Sequence, residues 1–338
     1  MIDFRYHLVS IVAVFLALAI GIVIGASTLK PEVASFFNRE STSEQRQINA
    51  NRSTIRNLMN ELGTNEAFAQ SAAPLLLDNL LADQQVALVT APGADGATIS
   101  GIVTALEQAG AKVTTQAQLQ PAFFDTTAAM QSSLEALAKQ VAPPSLTLQT
   151  APPGTSAPTT GQLEAAQVLA AALVTKDGPD LPAVEADPII TDFTRQGFLQ
   201  MSPDTGSAPE QATLAVVVIP ASPPATDADP ANLALISVAE QLSLSSHGVV
   251  LAGSLNGSGP GSAIDELVNG NTGAQLSSVN NADKEIGQIL VAQALSSLLA
   301  GHKPAAYGVG AAVPTPAPTP SPTPSPTSTA AAAPGRRA

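Results

Sequence analysis

No cysteine occurs anywhere in the 338 residues, which removes disulfide frameworks, thiolate metal clusters and cysteine nucleophiles together. Aromatic residues are almost as scarce, at 3% with no Trp and two Tyr, so the stacking platforms of a nucleic-acid surface are missing. Charge is sparse and one-sided. Charged residues make up 12% of the chain, about half the usual ~25%, and 27 acids face 14 bases for a formal net charge of -13. A surface of that sign repels polyanions, which excludes nucleic acid as a partner of the main body.

Against these absences stands one long apolar run. Leu8 to Leu29 is 22 residues without a charge; as a helix it spans about 33 Å, against a hydrocarbon core of roughly 30 Å. It is expected to anchor the chain in membrane lipid, with ends at Leu8 and Leu29. A cleaved signal peptide is the competing reading, with Gly25-Ala26-Ser27 as a small-residue cleavage site. The run, however, exceeds a signal core of about 7 to 15 residues, and its leader sets a single Arg beside an Asp. Lys30, Arg39 and Arg46 follow the span while Arg5 precedes it, a count that by itself points the body to the cytoplasm.

Glu32 to Leu62 reads as a polar helix between Pro31 and Gly63, with Gly63 as its C-cap. Ile48, Ile55 and Leu62 recur every seven residues and Leu58 falls three after Ile55. That is the a/d stripe of a short coiled coil, with Asn51 at a d position. A solvated stalk packed on the following domain is the other reading of the same stripe. Arg39, Arg46, Arg52 and Arg56 concentrate base near the membrane, either as a solvated face or against anionic lipid.

The remaining texture is globular, and the expected division is anchor 1–30, stalk 31–74, α/β domain 75–312 and tail 313–338. Strand 85–90, helix 97–109 and strand 112–118 form a βαβ unit, followed by one helix over 122–140. A Pro-rich insertion with five prolines occupies 141–160, a flexible segment or hinge. Helix 162–175, a loop, strand 214–219, helix 231–244, strand 249–252, helix 262–268, strand 275–279 and helix 284–299 continue the alternation. The fold class is therefore α/β: an open, doubly wound, Rossmann-like sheet behind a transmembrane helix and a coiled-coil-like stalk. The tail carries eight of the 28 prolines, alternating with Ser and Thr. It is expected to be extended or disordered, a solvent-facing spacer.

Chemistry-bearing constellations are few. Two Gly-rich loops follow strands, where an α/β fold can hold anions. Gly93-Ala-Asp-Gly96 fits neither a dinucleotide fingerprint nor a P-loop, and Asp95 would repel phosphate; Gly253 to Gly261 lacks the P-loop Lys. Asp265 and Glu266 are adjacent and so point about 100° apart on a helix, unlike the facing carboxylates of a glycosidase. No nucleophile elbow is present, no catalytic residue is assigned and no enzyme is expected. Copper favours Cys, Met and His, and the supply is Met1, Met59, Met130, Met201, His7, His247 and His302, none paired at i,i+3 or i,i+4. No metal ligand or cofactor is assigned to one chain.

Several segments in combination are familiar. Arg5-Tyr6-His7-Leu8-Val9-Ser10 opening the apolar run, Val249-Val-Leu-Ala-Gly253-Ser, Ser277-Ser-Val279-Asn-Asn281-Ala-Asp283 leading into Glu285-Ile-Gly287, and Tyr307-Gly308-Val309-Gly310 resemble the actinobacterial MctB-type family, named for copper transport across the outer membrane. The resemblance covers nearly the whole chain outside the Pro-rich insertion and tail. It implies an envelope protein with its body outside the plasma membrane and a role in copper homeostasis, a pore being one form of that role, and it carries over no catalytic residues. The residues themselves argue against a barrel pore, which needs strands of about 10 residues alternating lipid-facing and lumen-facing side chains.

The expected function is a non-enzymatic, membrane-anchored envelope protein of copper homeostasis, self-associating through the stalk. The body is placed outside against the charge count, because long C-terminal domains translocate largely regardless of charge. Copper is expected to be handled indirectly or between several chains. A coiled-coil scaffold governing cell-wall remodelling or cell separation through an envelope protein partner is the alternative. A sugar-phosphate or nucleotide enzyme built on Gly253 to Gly261 is the third class.

Overall fold

A computed structural model of the chain describes residues 4–27, 31–151, 158–176, 181–202, 210–222, 230–270 and 274–309. The expected anchor end at Leu29 and the tail at 313–338 lie outside the described residues. Two compact units are present, Met1–Asn65 and Glu66–Ala338.

The first unit contains α1 (Phe4–Ser27) and most of α2 (Pro31–Leu77). Within α1, Tyr6–Gly25 has a mean hydropathy of 2.9, long and apolar enough to cross a membrane. The helix expected to stop at Gly63 does not stop there: α2 is 47 residues long and ends at Leu77. The Ala-rich continuation explains the difference, since Ala69, Ala73 and Leu77 repeat at helical spacing and are buried in the second unit. That burial outweighs the roughly 1 kcal/mol penalty of a mid-helix glycine.

The second unit is mixed α/β with one seven-stranded mixed sheet. Its strands are β1 (Gln85–Thr90), β2 (Lys112–Leu119), β3 (Leu199–Met201), β4 (Leu214–Val218), β5 (Gly248–Ala252), β6 (Ser277–Val279) and β7 (Ala306–Tyr307), in the order β3-β2-β1-β4-β5-β6-β7. Only β3 is antiparallel to its neighbour. The central strands β1, β4 and β5 bury both faces because their side chains alternate between two cores. Val86 and Leu88 pack with α2, α3 (Gly96–Gln108) and α10 (Glu285–Leu299). Ala87 and Val89 pack on the other face, with α5 (Ala128–Val141), α6 (Thr160–Leu173), α7 (Ala183–Arg195) and α8 (Pro230–Leu244).

Two expectations are corrected here. The single helix over 122–140 is two, α4 (Pro121–Phe124) and α5, because the Asp125 side chain accepts the backbone N–H of Thr127 at 2.8 Å and sets a turn between them. The expected loop before residue 214 contains α7 and β3. The closing Tyr307 belongs to β7, which pairs with β6. In the Pro-rich insertion, Leu146 and Leu148 are half-buried against the core, and Gln149 donates its backbone N–H to the side chain of Gln167 at 2.9 Å.

Candidate functional site

Strand order reverses between β1 and β4, and in open α/β sheets ligands bind at such a point, outside the carboxyl ends of the strands. What the sequence puts there is proline. Adjacent strands β2, β1 and β4 each reach proline two residues after their last residue: Pro121, Pro92 and Pro220. The residue before each proline is pushed toward extended backbone and spends its N–H on the sheet. Gln120 donates to Phe198, Ala91 to Val218 and Ile219 to Ala252, all at 2.9 Å. Each proline then offers no donor at all. The three line a crevice of about 280 Å³ with Phe124 and Leu235, flanked by Asp125 and Asn232.

Three helix N-termini along this edge, elsewhere ready anion sites, are filled by the chain's own side chains. Asp95 caps α3, accepting the backbone N–H of Thr98 at 2.9 Å and its hydroxyl at 3.0 Å; the backbone bond first and the hydroxyl second hold the Asp95 carboxyl below the ordinary range. Glu66 accepts the backbone N–H of Glu285 at the start of α10, at 2.6 Å. On α9 (Ala263–Asn269), Ser262 accepts the N–H of Asp265 at 3.1 Å.

The Gly253–Gly261 loop spends donors on itself and on its neighbours as well. Gly253 donates to Val279 at 2.9 Å and Ser258 to Ser254 at 2.9 Å, Gly257 to the Ser254 hydroxyl at 3.0 Å, and Gly261 to Asp265 at 2.9 Å. Leu255 donates to Asp283 at 3.2 Å. The loop is a turn tied to β6, α9 and Asp283, with Gly261 at φ +79° where a side chain would be strained.

The segments 277–287 and 307–309 meet beside it. Asn280 brackets Val309, accepting its N–H at 2.7 Å and donating to its carbonyl oxygen. Gly308 has φ +107°, and a Cβ there would collide with Asn280; one on Gly287 would collide with the Asn281 carbonyl. These motif residues therefore lock β6, β7 and α10 together. Their spacing was visible in the sequence, while the asparagine bracket was not.

The soft-ligand residues are dispersed. Met130 and Met201 are half-buried against the core. His247 and His302 are exposed and precede β5 and β7, at the edge of the sheet opposite the crevice. The His302 ring Nδ1 lies 3.1 Å from the Ser297 carbonyl oxygen. Among the described residues no three His, Asp or Glu converge as a metal-binding group. One buried acid stands apart: Glu164 on α6 pairs with Lys139 at 3.7 Å, and its Oε2 has no hydrogen-bond partner among the described residues. Burial, the largest effect, pushes its carboxyl up, and Lys139 opposes the shift.

Of the expected anchor ends, Leu8 is exposed on α1. The expected seam residues Ile48, Ile55, Leu58 and Leu62 are 45%, 50%, 53% and 62% exposed. Their heptad spacing continues to Ala69, which is 5% exposed and packed within the second unit.

Comparison with known proteins places these features in a group. The family model described as "Copper transport outer membrane protein, MctB" matches residues 1–318. Proteins named copper transporter MctB from Mycobacterium tuberculosis and Mycobacterium bovis are each 26% identical over 315 residues, spanning 92% of this chain and 97% of the relative. The protein of that name from Mycobacterium leprae is 27% identical over the same length.

Proposed function

The chain belongs to the MctB family of copper transport outer membrane proteins, and on that footing we propose that it is a membrane-anchored, non-enzymatic protein of the cell envelope acting in copper homeostasis and efflux. The carrying observation is the extent of the match, which takes in α1, α2 and the sheet together and covers 97% of the length of relatives named as copper transporters.

In this reading α1 is an uncleaved, single-pass anchor in membrane lipid, and the body lies outside the plasma membrane as an open, doubly wound, Rossmann-like scaffold. Proline at the ends of β1, β2 and β4, and the carboxylates of Asp95 and Glu66 at the N-termini of α3 and α10, support a non-catalytic body. An open sheet covered on both faces by helices supports a role other than that of a barrel pore. The exposed heptad stripe of α2 supports a coiled-coil homo-oligomer, with a further envelope protein as a partner. Dispersed Met and His support copper handling that is indirect or shared between chains.

Deleting the chain tests this. The deletion strain should grow poorly at raised copper, and the full-length chain should restore growth while one lacking residues 1–30 should not. Unchanged copper tolerance with a defect in cell separation would refute the copper role. Placement is tested by Ser100→Cys, an exposed position on α3 in a cysteine-free protein. A membrane-impermeant maleimide should label it in intact cells, and labelling only after lysis would put the body in the cytoplasm.

A further inference from the structure

We propose that the crevice at the carboxyl ends of β1 and β4 is a binding site for a small apolar molecule bearing a positive charge, an aromatic or aliphatic amine, and not for a phosphate or carboxylate ligand. This goes beyond the copper role and does not depend on it.

Position comes first: the crevice occupies the point where strand order reverses, the place at which open α/β sheets hold ligands. Chemistry then reverses the usual preference for anions. Pro92, Pro121 and Pro220 stand where backbone donors would otherwise face the ligand, and the residues before them have committed their N–H groups to the sheet. An anion there would find no backbone donor at these three positions and would lie beside the Asp125 carboxylate, which is costly.

The walls favour apolar area. Phe124 lines the crevice and packs in a T-shaped pair with Phe123, ring centroids 5.4 Å apart, which holds its ring in place. Leu235, Ala231 and the three proline rings complete the apolar lining. A volume of about 280 Å³ suits one ring and a short substituent, just below the usual range of roughly 300–1,000 Å³ for small-molecule pockets.

Two polar groups are fixed at the margin. Asn232 is buried and donates to the Gly261 carbonyl at 2.7 Å. Asp125 accepts the Thr127 N–H at 2.8 Å; that bond, with the Thr127 hydroxyl second, holds the carboxyl below its ordinary range and keeps it ionised at neutral pH. A carboxylate beside an apolar slot and a fixed aromatic ring selects an ammonium group, with a cation–π contribution available from Phe124.

Ligand-observed saturation-transfer NMR on the full-length chain in detergent tests the site, with benzylamine as probe and benzoate and inorganic phosphate as comparators. Benzylamine should bind saturably and at least about threefold tighter than benzoate, with no competition from phosphate. Asp125→Asn should weaken benzylamine by up to about fivefold, the range of an exposed ion pair, and leave benzoate unweakened. Ala231→Trp, at a half-exposed lining position, should fill the slot and abolish binding, and Phe124→Ala should weaken it independently. Competition by phosphate, equal affinity for benzoate, no saturable benzylamine binding, or binding unchanged in both Ala231→Trp and Phe124→Ala would each overturn the proposal.

Discussion

Glu66 on α2 accepts the backbone N–H of Glu285 at 2.6 Å, so a side chain 219 positions away in sequence satisfies the first turn of α10. Lys284 at the N-cap position makes no side-chain cap bond of its own, which leaves Glu66 as the cap. Glu66→Ala should cost about 1 kcal/mol of body stability, in line with loss of an N-cap, while Glu66→Gln should retain most of it. Denaturant midpoints measured for the three full-length proteins settle this, and an unchanged midpoint for Glu66→Ala would contradict it.

Gly287 gives a prediction of reversed sign. On an exposed helix Gly→Ala stabilises by about 1 kcal/mol. Here the new Cβ would overlap the Asn281 carbonyl and push α10 off the 280–282 turn. Gly287→Ala should therefore destabilise by roughly 1–3 kcal/mol, and any rise in thermal midpoint would show that the turn yields.

Glu164 predicts a pH dependence. Its carboxyl is raised in the folded protein, burial being the largest cause. The unfolded chain therefore ionises first as pH rises, and folding loses stability above the ordinary range near 4.5. Below that range both states are protonated and the penalty is absent. Glu164→Gln should raise the thermal midpoint at pH 7.5 and leave it nearly unchanged at pH 4; a lower midpoint at pH 7.5 would mean that the Lys139 pairing outweighs burial.

The α2 stripe predicts a change of ownership along one helix. Ile55 and Leu62 are exposed in the first unit, whereas Ala69, at the next heptad position, is covered by its own domain. Because the chain contains no native cysteine, single thiols report cleanly. Ile55→Cys and Leu62→Cys should form interchain disulfides in membranes, and Ala69→Cys should not. Equal crosslinking at all three sites would dissociate the seam from the heptad pattern.

Strands β1, β4 and β5 are legible in the sequence because each is a short apolar or β-branched run that buries both faces, β2 because it follows the βα turn as a Val/Thr-containing segment, and α1 because nothing interrupts its hydropathy. Helix α7 was hidden by Pro182, Pro188 and its acids, although Ala186, Ile189, Ile190 and Phe193, all buried, repeat at helical spacing. β3 is three residues long behind Gly197, and its antiparallel pairing to β2 exists only in tertiary contact. At the candidate site the prolines were readable singly, as turn signals. Their common meaning depends on β2, β1 and β4 being neighbours, and strand order is not written in any local stretch. The long-range Glu66 cap was equally invisible, since nothing near Glu285 calls for a partner 219 positions away.

An anchored envelope protein acting in copper efflux should keep copper low inside the cell, which intracellular copper at fixed external copper, measured by mass spectrometry, reads out. Three strains are compared: one with the chain deleted, one carrying the full-length chain, and one carrying the chain without residues 1–30. The account predicts raised copper in the first and third and restored levels in the second. Equal copper in all three would contradict it.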